Sequence, residues 1–129
     1  MNEKVLKTLE YDKILAMVSE HLASDIGREY LALVRPASTL DEAARLMQQT
    51  DEAYGFYRRN GRTPVESFPD IRETLRKAHA AYALSAGDLL SIARCLAASR
   101  SAREALSDDD GVDSLMLLAN NLSAHRSIE

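Results

Sequence analysis

Apolar residues recur at intervals of three and four along almost the whole chain, and nowhere alternate with polar ones long enough to build a sheet face. That spacing places them on one stripe of a 3.6-residue helix, which restricts the chain to an all-α fold. With 129 residues, 46% of them apolar, the expectation is one compact helical domain over residues 1–129, built from about five to seven helices.

The stripes divide into segments. Val5, Leu6 and Leu9 begin one, and Ile14, Met17, Val18 and Leu22 continue it at the spacing of a buried helix face. Ser24 is positioned to cap a second helix running to about Arg35, with Ile26, Tyr30 and Leu33 expected to turn inward and Pro36 to stop it. Thr39 and Glu42 form a capping-box pair that opens a helix of roughly 20 residues, about 30 Å long. Leu40, Ala43, Ala44, Met47, Tyr54 and Tyr57 are its expected apolar face, and Gly61 its stop, with Arg58 and Arg59 suited to the negative end of its dipole.

Residues 61 to 69 carry a glycine and two prolines and read as an ordered connection pinned by Phe68. Asp70 opens a shorter helix with Ile71, Leu75 and Ala78. Ser85 with Asp88 opens a longer one through Leu89, Ala93 and Leu96 to about Leu106. The run from Asp108 to Gly111 breaks the chain, and Asp113 to His125 carries a stripe of Leu115, Leu118 and Leu122.

Several kinds of chemistry have little support. The glycines at 27, 55, 61, 87 and 111 are isolated, so no phosphate-cradling loop is present. His21, His79 and His125 lack partners at ligand spacing, apart from Glu129 four residues after His125, and read as ordinary surface or half-buried histidines. Cys95 is the single cysteine; it excludes an internal disulfide and reads as a small core-filling side chain, in keeping with a cytoplasmic setting. The Asp41/Glu42 pair suits a first helical turn, and Asp51/Glu52 a solvated face. Met1 to Lys7 is polar with no apolar run behind it, and the longest apolar runs, Tyr30–Val34 and Leu115–Ala119, fall far short of the roughly 20 residues a spanning helix needs, so neither a secretory signal nor a membrane anchor is expected.

Positive charge admits two readings. Arg58, Arg59, Arg62, Arg72, Arg76 and Lys77 flank one short loop and could form a patch for a nucleic-acid backbone or an acidic partner. Alternatively Arg58 and Arg59 serve a helix end while Arg72 and Arg76 pair with nearby carboxylates such as Glu73. The net charge of −4 and the lack of interleaved aromatic residues favour the second reading. The stripe Leu115, Leu118 and Leu122 has no evident covering element and is a candidate packing interface, including with a second copy.

The order of residues carries more than their periodicity. Leu9-Glu10-Tyr11-Asp12-Lys13-Ile14, Ser24 with Gly27, Pro36, Thr50-Asp51-Glu52-Ala53, Pro69-Asp70-Ile71-Arg72, and Leu84-Ser85 with Asp88-Leu89-Leu90 together resemble the N-terminus of the second bacterial branch of the MutS family, whose members usually carry a C-terminal Smr domain. The resemblance covers nearly the whole chain and departs at residues 62 to 68, where the family more often has a glycine-rich segment.

It implies the N-terminal part of a helical core and lever segment, preceding a clamp coiled coil and a P-loop ATPase domain. Such proteins resemble dimeric ATPases that bind branched or mismatched DNA, have been assigned Smr nuclease activity, and in some bacteria act on stalled ribosomes. Residues of the ATPase and Smr sites have no counterpart here, so no catalytic, cofactor-binding or metal-binding residue carries over. ATP and Mg are expected only in the parent's ATPase domain. The expected role is a non-catalytic segment whose partner is the remainder of its parent chain, with a homodimer possible, DNA or the ribosome reached through the full-length protein, and no membrane partner. The alternative is a stand-alone helical adaptor or dimerisation module.

Overall fold

The computed structural model describes residues 3–122; His125 and Glu129 lie outside the described residues, as does the end of the Asp113–His125 stretch. Among the described residues it is all-α, with seven helices and no strand. These are α1 (Glu3–Thr8), α2 (Tyr11–Ser19), α3 (Asp25–Leu33), α4 (Leu40–Asn60), α5 (Arg72–His79), α6 (Ala86–Ser107) and α7 (Asp113–Ala119).

Local capping chemistry sets the ends. The Ser24 hydroxyl accepts the Gly27 N–H at 3.1 Å to start α3. Thr39 accepts from the Glu42 N–H at 3.2 Å at the start of α4, but the Glu42 carboxylate takes the Ser38 N–H at 2.9 Å, so the box is not reciprocal. Ser85 and Asp88 form a complete capping box at α6. Gly61 closes α4 with φ 67°, a left-handed position that glycine adopts without a Cβ penalty. Between α1 and α2, Glu10 takes φ 53° and splits the apolar stripe in two.

The core is small and sits where α4 and α6 pack against α7. Phe56, 1% exposed, meets Leu106, Val112 and Ala119, with Ala105, Leu115 and Met116 against them. α1, α2 and α3 pack in sequence against one another.

This arrangement reverses several expected faces. On α4 the inward side is the buried Phe56 with the half-buried Gln49, Glu52 and Ala53, at helical spacing, while Leu40, Met47, Tyr54 and Tyr57 are exposed. Tyr30 and Leu33 on α3, and Ile14, Met17 and Val18 on α2, are exposed rather than inward. Leu75 on α5 and Leu89 on α6 are also exposed; Thr74 on α5 and Ala98, Ala102 and Leu106 on α6 are the buried positions there. Apolar periodicity marks a face that avoids water, whereas burial depends on the body placed against it.

Candidate contact surface

The six candidate cations do not converge on one element. Arg59, near the end of α4, forks onto Asp109 in the α6–α7 loop, with Nε 3.3 Å from Oδ2 and a second, shorter bond to Oδ1. The Asn60 amide adds a 2.8 Å bond to the same carboxylate and donates to the Phe56 carbonyl. Arg59 thereby fastens the end of α4 rather than serving only its dipole. Its guanidinium holds the Asp109 carboxyl below the ordinary carboxylate range, with Asn60 assisting against partial desolvation.

Arg72 bridges two chain segments. Both terminal nitrogens reach the Glu29 carboxylate on α3 at 2.8 Å, and Nε lies 2.9 Å from Asp70. Hydrogen bonding from the Arg72 side chain and backbone holds Asp70 at about 2, and the Arg72 side chain lowers Glu29 as well.

Arg76 pairs with Glu73 at 3.1 Å, Arg62 with Glu66 at 3.7 Å, and Lys77 with Asp88 at 3.6 Å. Asp88 is lowered chiefly by the Ser85 backbone N–H, then by its hydroxyl. Arg58 lies over the Tyr54 ring, 5.9 Å from its centroid, so an aromatic residue does accompany the cations.

The three leucines of the C-terminal stripe part company. Leu115 packs on the Phe56 cluster. Leu122 lines a cavity of about 220 Å³ with Phe68, Cys95 and Ala98, and its carbonyl accepts from Arg103 at 3.0 Å. Leu118 alone is mostly exposed, on a groove between α4 and α7 bordered by Arg45 and Gln48. They form no single open face.

Cys95 borders that cavity half-buried, and burial together with the charge of Asp70 pushes its thiol up, away from the reactive thiolate. His21 and His79 are exposed. Among the described residues no group of three or more His, Cys, Asp or Glu is arranged to hold a metal ion, and no helix is long and apolar enough to cross a membrane.

Glu52 is the residue that sequence reasoning misplaced. Instead of lying on a solvated face, its carboxylate accepts the Ser114 N–H at 3.2 Å and the Leu115 N–H at 2.9 Å, capping α7 from α4. The N-cap residue of α7, Val112, makes no side-chain cap bond, so the acceptor comes from another helix. Burial works to raise Glu52, but the Leu115 N–H, the Gln48 amide and the Ser114 N–H outweigh it, and the net shift is downward. No local signal marks this contact, because the partners are 62 and 63 residues away.

No family model matches the chain. Endonuclease MutS2 of Geobacillus thermodenitrificans is 38% identical over 114 residues, covering 86% of this chain and 14% of that protein. The Geobacillus kaustophilus Endonuclease MutS2 is 34% identical over 133 residues, and that of Clostridioides difficile 30% over 133; each match covers all of this chain and 17% of the relative. This chain is a MutS2-related region. It spans about one sixth of the length of the relatives it matches. Several fragments that carried the resemblance lie at element boundaries, with Leu9 to Ile14 at the α1–α2 break, Ser24 and Ser85 as caps and Asp70 with Arg72 at the start of α5, whereas Thr50 to Ala53 lies inside α4.

Proposed function

We propose that this MutS2-related region serves as a stiff, non-catalytic core or lever segment of a longer MutS2-type polypeptide in the cytoplasm. In this reading nuclease chemistry, ATP and Mg handling, and contact with DNA or ribosomes belong to the remainder of that polypeptide. The helices described here contribute movement as packed bodies, since close-packed interiors shift rather than stretch.

The supporting observation is the state of α2 and α3. Ile14 (54%), Met17 (67%), Tyr30 (72%) and Leu33 (74%) sit at buried-face spacing yet are open to water. Covering each such side chain is worth about 1.5–3 kcal/mol, so these faces suit a body supplied by further chain.

Two measurements test the reading. Calorimetry of this chain with ATP and Mg, alongside a nuclease assay, is expected to give no binding and no cleavage; either activity would contradict the assignment. Grafting the chain in place of the matched segment of the Geobacillus thermodenitrificans protein is expected to yield a cooperatively folded chimera that Met17→Glu with Leu33→Glu destabilises. An indifferent response to that pair would remove the supporting observation.

A further inference from the structure

The helices fall into two packed groups: α1 with α2 and α2 with α3 in one, α4 and α6 against α7 in the other. Thr74 and Lys77 tie α5 to Asp88 at the start of α6, so α5 belongs with the second group. Among the described residues every buried position lies between Phe56 and Ala119, and the first group adds none to the core. Where the groups face each other, an open cleft of about 510 Å³ lies between Leu22, Ile26 and Tyr30 on one side and Val65 and Phe68 on the other. A close-packed boundary leaves no opening of that size, so interlocked side chains do not fix how the groups sit.

The connection between them is built to turn. Arg35 gives its guanidinium back to α3, with Nη1 3.1 Å from the Ala32 carbonyl and 2.8 Å from that of Val34. Ser38 belongs to α4, its N–H donating to the Glu42 carboxylate at 2.9 Å. Each end of the connector is thus tied to its own helix, which leaves Pro36 and Ala37 to absorb a change of angle, as hinge residues do. Because the Pro36 ring fixes φ, only a few dihedrals are free. Motion about so short a joint turns a whole body and leaves each helix intact.

We propose that α1–α3 swing as one body about Pro36–Ala37, and that the Arg72 fork on Glu29 is a releasable latch that holds them against α4–α7. The latch has the chemistry of a reversible contact. Its two 2.8 Å bonds are bidentate and therefore directional, but the Arg72 and Glu29 side chains are 50% and 60% exposed, so water is ready to replace either partner. Release leaves no orphan on the core side, because Asp70 still accepts from Arg72 Nε at 2.9 Å and from its backbone N–H at 2.9 Å. Asp70 thereby keeps the fork aimed while α3 is away. The open faces of α2 and α3 travel with the swinging body, so whatever covers Met17 or Leu33 bears on this joint. The joint rests on contacts within this chain and stands apart from the lever reading.

Pulsed electron spin resonance on the 129-residue chain tests it, with Cys95→Ser removing the native thiol and spin labels at Ala16→Cys on α2 and Asp51→Cys on α4. A narrow distance distribution is expected at low salt. Arg72→Met and Glu29→Gln are each expected to widen it by about twofold or more, and the double variant to match the singles, since either change opens the same latch. About 1 M salt should widen the unsubstituted chain in the same way and leave Arg72→Met unchanged. An unaltered distribution in Arg72→Met would overturn the latch. A second label pair, Asp51→Cys with Arg94→Cys on α6, reports on the other group alone and is expected to stay narrow throughout; widening there would mean general loosening and would overturn the two-body swing. Ala37→Pro added to Arg72→Met is expected to narrow the first distribution again, and failure to do so would refute the hinge at Pro36–Ala37.

Discussion

Removing the carboxylate of Glu52 should undock α7. In the structure that carboxylate satisfies the Ser114 and Leu115 N–H groups, two of the first-turn donors that a helix cannot satisfy internally. Losing an N-cap costs about 0.5–2 kcal/mol, and the negative charge at the positive end of the helix dipole adds a few tenths to 1 kcal/mol. Glu52→Ala should therefore cost about 1–2 kcal/mol, and Glu52→Gln about half of that, since the amide oxygen still accepts one bond. For a domain of this size the Ala variant should melt roughly 3–8 °C lower. The folded carboxyl lies below its ordinary value of 4.5, so its stabilisation is present above that value and disappears as pH falls through the lower folded value. Wild type and Glu52→Gln should accordingly converge at acid pH. Amide exchange at Ser114 and Leu115 should accelerate before the rest of the chain in both variants. If Glu52→Ala melts within about 1 °C of wild type and those two amides exchange unchanged, the tertiary cap contributes nothing and the reasoning fails.

Phe56→Ala empties the centre of a small core and should cost about 3–5 kcal/mol, enough to shift the urea midpoint far down; a change below about 1 kcal/mol would show that the Phe56 cluster does not hold the three helices together. Gly61→Ala meets no atom within 4 Å, so its entire cost is the left-handed backbone, about 1–2 kcal/mol by chemical denaturation, and Gly61→Asn should cost less. Arg72→Met should raise Asp70 from about 2 towards 3.8 and move Glu29 in the same direction, followed by carboxyl-carbon NMR titration. Because the folded Asp70 value is depressed, this pairing stabilises above 3.8 and is lost as pH falls to about 2; an Arg72→Met variant with unchanged titrations would rule the bridge out.

What could be read in advance follows from the range of each interaction. Ser24 with Gly27 and Ser85 with Asp88 are hydrogen-bonded across three residues, and Gly61 closes its own helix, so sequence alone locates these ends. The partner of Arg59 is 50 residues away, and one partner of Arg72 is 43 residues away; a basic cluster in sequence therefore says little about where each charge is spent. Glu52 reads as a solvated acid for the same reason. Phe56 was overlooked because its neighbours on the buried side, Gln49 and Glu52, are polar, and a stripe count favours the more apolar opposite face.

That inversion on α4 ties the observations together. A surface helix in a self-contained bundle turns its most apolar stripe inward, because burial of that stripe is what stabilises it. Here the buried stripe is the less apolar one, and it is held by a single phenylalanine, a tertiary cap and the Arg59–Asn60–Asp109 lock. Polar anchors of this kind fix orientation more than they supply driving force, since a hydrogen bond gains little over water but leaves a costly orphan when misplaced. They set the rotation of α4 about its axis so that Leu40, Met47, Tyr54 and Tyr57 face outward. Rotating the helix to bury those four would strip the Ser114 and Leu115 N–H groups of their acceptor and part Arg59 from Asp109. The outward stripe is thus a consequence of specific contacts on the other side of α4.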